Sequence, residues 1–310
     1  MRGRQSWGKR TEDGMKGGIE YFQKAVGLDP SFALAYSGIA DCYNLLSSYL
    51  YIHPIEALSK AKAAAEKALS IDETLAEAHT SMAWVKQYDE WDWQAAENEY
   101  KKSIELNPSY ATAHMWYSDL LFRIGRKEES FAEIEQAQQL DPLSLIISTV
   151  VGLRFYWDRQ YDQALIQVKK SVEKDPDFQV GHLWLAYIYS QMGHFDEAVR
   201  QAEVATGLPG GNTSLFLGVL GYIHALSGEH EKAEMILEEL SEMSAKRYVS
   251  PYYIAVINMS LGHNDVAFDW LEKAYNDKDI CMTTIKIDPI LDPLRSDSRF
   301  RSLLKKMNLD

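Results

Sequence analysis

The feature that most constrains the fold of this chain is a short acidic mark, usually followed by proline, that returns about every 34 residues. The first two marks lie 43 residues apart, and the next intervals are 35, 34 and 34 residues. A period near 34 is typical of arrays of helical hairpins. Proline cannot continue a helix, so each mark separates two hairpins. The marks are Asp29-Pro30, Asp72-Glu73, Asn107-Pro108, Asp141-Pro142 and Asp175-Pro176.

Small residues recur at two aligned positions of each period. A large side chain there would force the two helices apart, at a cost of roughly 1–3 kcal/mol. Because seven units agree at both positions, we predict seven helical hairpins. The first position holds Ala40, Ala83, Ser118, Gly152, Ala186, Gly221 and Ala255. The second position holds Ala61, Ala96, Ser130, Ala164, Ala198, Ala233 and Ala267.

The net charge and the cysteine content of the chain indicate which classes of partner and which compartment to expect. The formal net charge is −13 and the pI is about 5.1, so the surface repels phosphate backbones and anionic lipids. Cys42 and Cys281 are far apart and outside any paired motif, which predicts free thiols in a reducing compartment. The N-terminus lacks the apolar core of a signal peptide, and no apolar run reaches membrane-spanning length. We therefore expect a cytoplasmic protein, with no nucleic acid bound by this region and no membrane partner.

The segment GHFDEA at residues 193–198 joins a glycine turn to an aromatic, acidic and alanine run. This pattern resembles the tetratricopeptide repeat (TPR). The resemblance implies an all-α fold, a right-handed superhelical solenoid of antiparallel helix hairpins. Residues 1–30 match only the second helix of a partial repeat, and residues 280–310 are predicted to form a linker and a capping helix. The seven predicted units are 31–73, 74–108, 109–142, 143–176, 177–211, 212–247 and 248–279.

Three units depart from the pattern. The first full unit is nine residues too long, with the excess near 47–54, and we predict that Pro54 opens a long helix ending at Ile71. The second unit has one extra residue at Trp91-Asp92-Trp93. The joint at 209–213 lacks the acidic mark and is predicted to be a looser loop.

Residues 3–43, 88–117 and 288–307 carry a more specific resemblance. They are similar to the C-terminal TPR region of bacterial multidomain signalling proteins, where it follows a winged-helix activator, an adenylate cyclase or a serine/threonine kinase domain. The resemblance implies the sensor or interaction part of a signalling or transcription-regulatory protein, with an effector domain upstream.

His79, His114 and His182 share one aligned position near the start of a first helix. A shared metal site is one interpretation, but neighbouring helix axes are about 8–10 Å apart, whereas the ligands of one zinc ion lie about 2 Å from it. We therefore predict structural histidines. The sequence also lacks the motifs of nucleophilic, nucleotide-binding and zinc hydrolase sites. A non-enzymatic protein without cofactors is the prediction.

In TPR proteins, one face of each first helix lines the concave groove. Transferred to this sequence, that face is rich in aromatic residues, which provide large contact areas with polar groups for a peptide or helix. The alternative is that some rings pack on neighbouring helices. The candidate groove residues are Trp84, Tyr88, Met115, Trp116, Asp119, Phe122, Arg123, Leu153, Tyr156, Trp157, Trp184, Tyr187, Gln191, Tyr222, Tyr252 and Tyr253.

The carboxylate clamp of TPR co-chaperones is not predicted, because no unit carries its first lysine. The leading hypothesis is a scaffold that binds a protein or peptide ligand in the groove. A homodimerisation module for an upstream domain and a small-molecule sensor using the same groove are the alternatives.

Overall fold

In a computed structural model, which describes residues 2–8 and 10–310, the chain is helical throughout, and the described residues contain no β-strand. The predicted all-α class is therefore confirmed. The chain divides into two compact units, Met1–Leu140 and Asp141–Asp310. We call them unit 1 and unit 2.

Unit 1 is built from antiparallel helix pairs joined by short turns. The predicted partial repeat over residues 1–30 contains a short first helix, α1, which the sequence pattern did not show; Met1 and Lys9 lie outside the described residues. The helices of unit 1 are α1 Arg2–Trp7, α2 Glu12–Leu28, α3 Ala33–Ser48, α4 Pro54–Ile71, α5 Ala76–Val85, a π-helix Lys86–Glu90, α6 Trp93–Leu106, α7 Ala111–Arg123 and α8 Lys127–Leu140.

Unit 2 continues with four helix pairs and a different ending. After the last pair, two 3₁₀ helices, Ile280–Thr284 and Pro289–Leu294, lead to a final α-helix. The α-helices of unit 2 are α9 Leu145–Trp157, α10 Tyr161–Lys174, α11 Gln179–Gln191, α12 Phe195–Gly207, α13 Ser214–Leu226, α14 His230–Ser244, α15 Pro251–Ser260, α16 Asn264–Asn276 and α17 Ser298–Lys306.

Close helix approach explains the small residues of the repeat. A Cβ added at Gly152 would lie 2.4 Å from Val168 Cγ2, and one at Gly221 would lie 2.7 Å from Ile257 Cδ1. Interiors are packed like organic crystals, so neither neighbour can move away cheaply. Ala164 is fully buried at the second small position of the same unit as Gly152.

Four of the turns inside the described hairpins follow the glycine pattern, whereas Arg10, Leu50, Trp91 and Arg159 take the left-handed conformation in the other four. Gly125, Gly193, Gly228 and Gly262 all have φ between +75° and +90°, the left-handed conformation that glycine adopts without a Cβ clash. The α9–α10 turn places Arg159 at φ +62° instead. A left-handed conformation costs an L-residue roughly 1–2 kcal/mol, so this side chain is expected to make a compensating contact.

The two departures in unit 1 are accommodated locally. The prediction for the long helix is confirmed, because α4 begins at Pro54 and ends at Ile71. The extra residue of the second unit is absorbed as the π-helix Lys86–Glu90, after which Trp91 takes φ +51°. A π-helical turn contains one more residue than an α-helical turn, so it shifts the direction in which the side chains of Lys86–Glu90 point.

The three aligned histidines connect the two helices of a hairpin with the preceding loop. His114 Nδ1 lies 2.6 Å from Glu133 Oε2, and Nε2 lies 2.9 Å from the carbonyl oxygen of Pro108. His79 makes the same pair of contacts with Glu99 and Glu73. In unit 2, His182 contacts Gln201 and Pro176 instead.

Helix α17 closes the free end of α16. Phe300 and Leu303 are buried, and Arg299 lies over the ring of Phe268 at 4.0 Å while its guanidinium bonds Asp265 at 2.9 Å. A last hairpin with an exposed apolar face would promote association, so this helix covers that face. No helix in the described part of the chain has both the length and the apolar character needed to cross a membrane.

Candidate functional site

The predicted groove residues lie on the first helices of successive hairpins, in two sets. Unit 1 carries its set on α5, the π-helix and α7, and unit 2 carries its set on α9, α11, α13 and α15. Most of these side chains are buried; Asp119, Trp184 and Gln191 keep partial solvent exposure. The prediction that they contact a partner stays a prediction.

Three aromatic rings of unit 1 form one cluster. Trp84 stacks on Tyr88 with centroids 4.4 Å apart, and Trp116 approaches Trp84 at the same centroid distance. We call these three residues the unit 1 aromatic cluster. Each ring is less than a tenth exposed. Rings at this distance contribute about 0.5–1.5 kcal/mol per pair beyond area burial, so the cluster stabilises the α5–α7 contact.

Polar groups close the cluster on one side. The Tyr88 hydroxyl donates to Asp119 Oδ2 at 2.7 Å, and Arg123 Nε donates to the same oxygen at 2.9 Å. Arg123 Nη2 also donates to the Tyr88 hydroxyl at 2.9 Å. The π-helix makes this possible because it carries Tyr88 and Gln87, and both side chains reach Asp119.

Two other predicted residues of α7 lie in the protein interior. Phe122 is 1% exposed and its ring meets Phe131 of α8 with centroids 6.3 Å apart, inside its own hairpin. Met115 is also buried. Their side chains therefore support the hairpin, whereas Asp119 keeps an edge that solvent reaches.

A second polar cluster of unit 1 lies near its first helices. Asp41 accepts a hydrogen bond from Ser81 Oγ at 2.6 Å, and burial raises its pKa to about 6. Arg4 pairs with Glu77 at 3.3 Å. Burial lowers the pKa of Arg10, whose guanidinium lies 4.2 Å from the Trp7 ring centroid. Helix α1 thus brings its charges to α3 and α5.

The aromatic residues of unit 2 form a continuous row across four helices. Trp184 lies between Tyr156 and Tyr187, with centroids at 5.7 and 5.1 Å. Trp157 meets Trp184 nearly at a right angle, and Tyr222 lies 6.4 Å from Tyr187. Edge-to-face and tilted arrangements are those that aromatic quadrupoles favour.

Hydroxyl and amide groups connect this row. Gln191 Nε2 donates to the Tyr222 hydroxyl at 2.9 Å, and the hydroxyls of Tyr187 and Tyr253 lie 3.1 Å apart. Tyr252 meets the Tyr253 ring edge-on. Leu153, the remaining predicted residue, is buried on α9.

The structure brings to the unit 2 row a segment that the sequence pattern placed only in a linker. We call residues 280–297 the strap. Asp288 of the strap lies 3.5 Å from the Tyr252 hydroxyl, and Arg159 donates to both carboxylate oxygens of Asp292 at 2.7 and 3.0 Å. Two signals in the sequence point to it: the repeated Asp-Pro of DPILDPL, and an arginine at a turn position where four other hairpins have glycine.

Asp288 acts on a group of four tyrosines, Tyr156, Tyr187, Tyr222 and Tyr252, which we call the tyrosine cradle. Burial, with the negative charge of Asp288 as a further cause, raises the pKa of all four hydroxyls. Burial likewise raises the pKa of Asp288 to about 6. The cradle therefore offers neutral hydroxyl groups to the strap, and it offers no positive charge.

Neither unit presents an arrangement that is known to hold a metal. Among residues 2–8 and 10–310, no group of three or more His, Cys, Asp and Glu side chains is placed to bind an ion. Burial raises the pKa of Cys281, and likewise that of Cys42, so both thiols are poor nucleophiles near neutral pH.

Comparison with known proteins agrees with this architecture. A tetratricopeptide repeat family model matches residues 88–144. Human IFIT1, solved as a dimer with m7Gppp-AAAA, superposes with a TM-score of 0.62 at 14% identity, covering 85% of this chain and 68% of IFIT1. Yeast Tom70 gives 0.51 at 14% identity, covering 96% and 62%. The type IV pilus biogenesis factor PilW gives 0.50 at 19% identity, covering 67% and 93%.

Among curated proteins, the transcriptional regulator HilA of Salmonella typhimurium is 21% identical over 246 residues, or 78% of this chain. The chain spans 37% of the length of that relative. The matched segment, residues 88–144, is similar to the tetratricopeptide repeat, and the helical-hairpin fold of the chain is similar to that of the solved structures.

Proposed function

We propose that the chain is a non-enzymatic scaffold that binds a protein or peptide segment against the aromatic faces of its first helices. The observation that carries the proposal is the strap of unit 2. There, a short 3₁₀-helical segment lies against the row of tyrosines, with one aspartate at Tyr252 and another held by Arg159. A face that holds one peptide segment has the chemistry to hold another.

We further propose that this scaffold works in the cytoplasm as the sensor or interaction part of a signalling or transcription-regulatory protein. The support is the partial match to HilA, a transcriptional regulator. Aromatic rings with polar handles suit capture of a peptide or helix, because they bury much area at low conformational entropy cost.

The test is a random-peptide display library panned on the full chain, followed by fluorescence anisotropy of the enriched peptides. In unit 1, Asp119→Asn removes a partly exposed charge beside the aromatic cluster while keeping the shape of the side chain. Peptides bound there should lose roughly ten-fold in affinity, as expected when a charged hydrogen bond is replaced by a neutral one.

The matched control is Glu128→Gln, which removes an exposed carboxylate from the second helix of the same hairpin. It should leave binding unchanged. If no peptide is enriched, or if the two variants weaken binding equally, the scaffold proposal is wrong.

Self-association is a second candidate, supported by exposed apolar side chains at the start of the array. Leu28 is 90% exposed, and Tyr21 and Phe32 are each more than two-fifths exposed. Phe22, in contrast, is covered, because its ring fills the space beside Gly3 and Gly38. Light scattering over a hundred-fold concentration range tests this: a constant mass of 35.4 kDa contradicts it.

A further inference from the structure

The strap is anchored on both sides of its middle section. At its start, the buried carboxylate of Asp279 accepts hydrogen bonds from Ser250 Oγ, from the Tyr248 hydroxyl and from the backbone N–H of Cys281. At its end, α17 is held on α16 by pairs such as Lys306 with Glu272. The intervening residues make their own, separate set of contacts.

That middle section is a loop closed by its own arginine. Arg295 Nη1 donates to the carbonyl oxygen of Lys286 at 2.7 Å, and Nη2 donates to that of Asp288 at 2.9 Å. Ile290, Leu291 and Leu294 are buried. Residues 286–297 therefore hold their turn with hydrogen bonds of their own, while their apolar side chains are buried, as the anchor residues of a short recognition peptide are.

Two different groups of unit 2 recognise the two aspartates. Asp288 lies 3.5 Å from the Tyr252 hydroxyl and accepts a hydrogen bond from the backbone N–H of Ile290 at 3.1 Å, so this position takes a polar acceptor that need not be charged. Asp292 meets the guanidinium of Arg159 through two hydrogen bonds, so this position does require a carboxylate. Tyr156 supports the first point, because its hydroxyl is fully buried and has no hydrogen-bond partner.

The backbone at Arg159 supports a recognition role for its side chain. In unit 2 the three other hairpin turns have glycine in the left-handed conformation, whereas the α9–α10 turn has arginine at φ +62°. Glycine would fit the turn better but would remove the ion pair of Asp292 with Arg159 and leave only the one with Arg295.

We propose that the strap is a built-in ligand of unit 2, and that the external partner of this face is a peptide with the same chemistry. That peptide has aspartate or asparagine before proline, then two aliphatic residues, then an aspartate before a second proline. It competes with residues 286–297 for the tyrosine cradle and Arg159. This inference rests on the proposed scaffold function and specifies the ligand for one of its two faces.

Competition between the strap and a free peptide determines whether the free peptide binds to unit 2. A tethered ligand acts at an effective concentration on the order of millimolar, so a free peptide of equal intrinsic affinity is excluded at micromolar concentration. The strap therefore keeps unit 2 closed until its own contacts are weakened or a tighter ligand arrives.

The test uses the full chain and a fluorescent peptide of residues 286–297. The double variant Leu291→Ala with Arg295→Ala weakens the strap and leaves the cradle and Arg159 intact. We expect this variant to bind the peptide saturably, at least ten-fold more tightly than the unsubstituted chain does. A peptide with D288N should bind as well or better, and one with D292N should bind roughly ten-fold more weakly.

Adding Arg159→Gly to the double variant should remove the preference for the Asp292 carboxylate. The control is Lys306→Ala, which breaks an exposed ion pair outside the strap and should not open unit 2. Hydrogen exchange of α17 and α9 shows that each variant is folded. Absence of peptide binding to the folded double variant, or equal binding of the D292N peptide, would overturn the inference. Peptides selected on unit 1 that respond to Asp119→Asn would then still support the scaffold function.

Discussion

The two units cover their aromatic residues by different means. In unit 1, the rings of Trp84, Tyr88 and Trp116 are closed by Asp119 and Arg123, which belong to the same helices. In unit 2, the row is met by the strap, whose Asp288 is 36 residues from Tyr252 and whose Asp292 is 133 residues from Arg159 along the chain. The first arrangement is part of the hairpin core, whereas the second depends on a segment outside the hairpins, which we expect to open without unfolding them.

Trp116→Ala tests the first half of this comparison and has the largest expected effect. Trp116 is 4% exposed, and truncating a buried tryptophan typically costs about 3–5 kcal/mol. Trp184 of unit 2 is partly exposed, so W184A should lower the unfolding free energy by clearly less. Urea unfolding measures both. Equal losses would show that the two aromatic sets are buried alike.

Asp288→Asn sharpens the comparison because removing a charge is expected to stabilise unit 2. Its pKa is raised, so the folded state holds the proton more tightly. The stability that the protonated Asp288 contributes to the folded state is fully present below the unfolded pKa near 3.8 and is lost as pH rises through the folded pKa of about 6. A pKa difference of one unit corresponds to about 1.4 kcal/mol, so we expect D288N to raise the unfolding free energy at pH 7 by roughly 2–3 kcal/mol.

The measurement is urea unfolding at pH 5 and pH 7. D288N should narrow the difference in unfolding free energy between the two pH values. A difference should remain, because burial raises the pKa of Asp41 in unit 1 to about 6 as well. A destabilised D288N protein at pH 7 would mean that the strap needs the charge.

Gln201→Glu gives unit 2 the histidine–glutamate contact that unit 1 makes at His79 and His114. The hydrogen bond to Glu99 raises the pKa of His79; at His114, burial lowers the pKa but the bonds to Glu133 and Pro108 outweigh it. A raised histidine pKa gives stability that is present below the unfolded value near 6.5 and is lost as pH rises through the folded value. We expect Q201E to add such a contact to unit 2, seen as a larger increase in the unfolding free energy at pH 5 than at pH 7.

The control for that experiment is Gln167→Glu, a substitution elsewhere on a second helix of unit 2. It should leave the pH dependence of the unfolding free energy unchanged. An unaltered pH dependence in Q201E would show that the contact geometry, rather than the carboxylate, causes the pH dependence in unit 1.

Arg159→Gly has the smallest expected effect on global stability. Relief of the left-handed turn is worth roughly 1 kcal/mol, and loss of the half-exposed ion pair to Asp292 costs about 0.2–1 kcal/mol. The two terms nearly cancel in urea unfolding. Amide exchange in the strap should nevertheless rise roughly three- to five-fold, which separates the local effect from the global one.

The repeat architecture could be predicted from the sequence because its causes are local. Proline marks, small residues at Gly152 and Ala164, and turn glycines each act within a few residues of where they stand. The periodicity also indicated which side chains share a face. It could not show that the strap meets that face, because the contact of Asp292 with Arg159 joins distant segments. Helix α1 was missed because six residues are too few for a periodic signal.

Native-state hydrogen exchange in low denaturant tests most directly the claim that the strap is a separable ligand of unit 2. We predict that amides of residues 286–295 open with a lower free energy and a weaker denaturant dependence than amides of α9, α11 and α13. Amides of α5 and α7 beside the unit 1 aromatic cluster should show no comparable low-energy opening. If the strap amides exchange only with the global unfolding of unit 2, at the same free energy and slope, the strap is core structure and the account is contradicted.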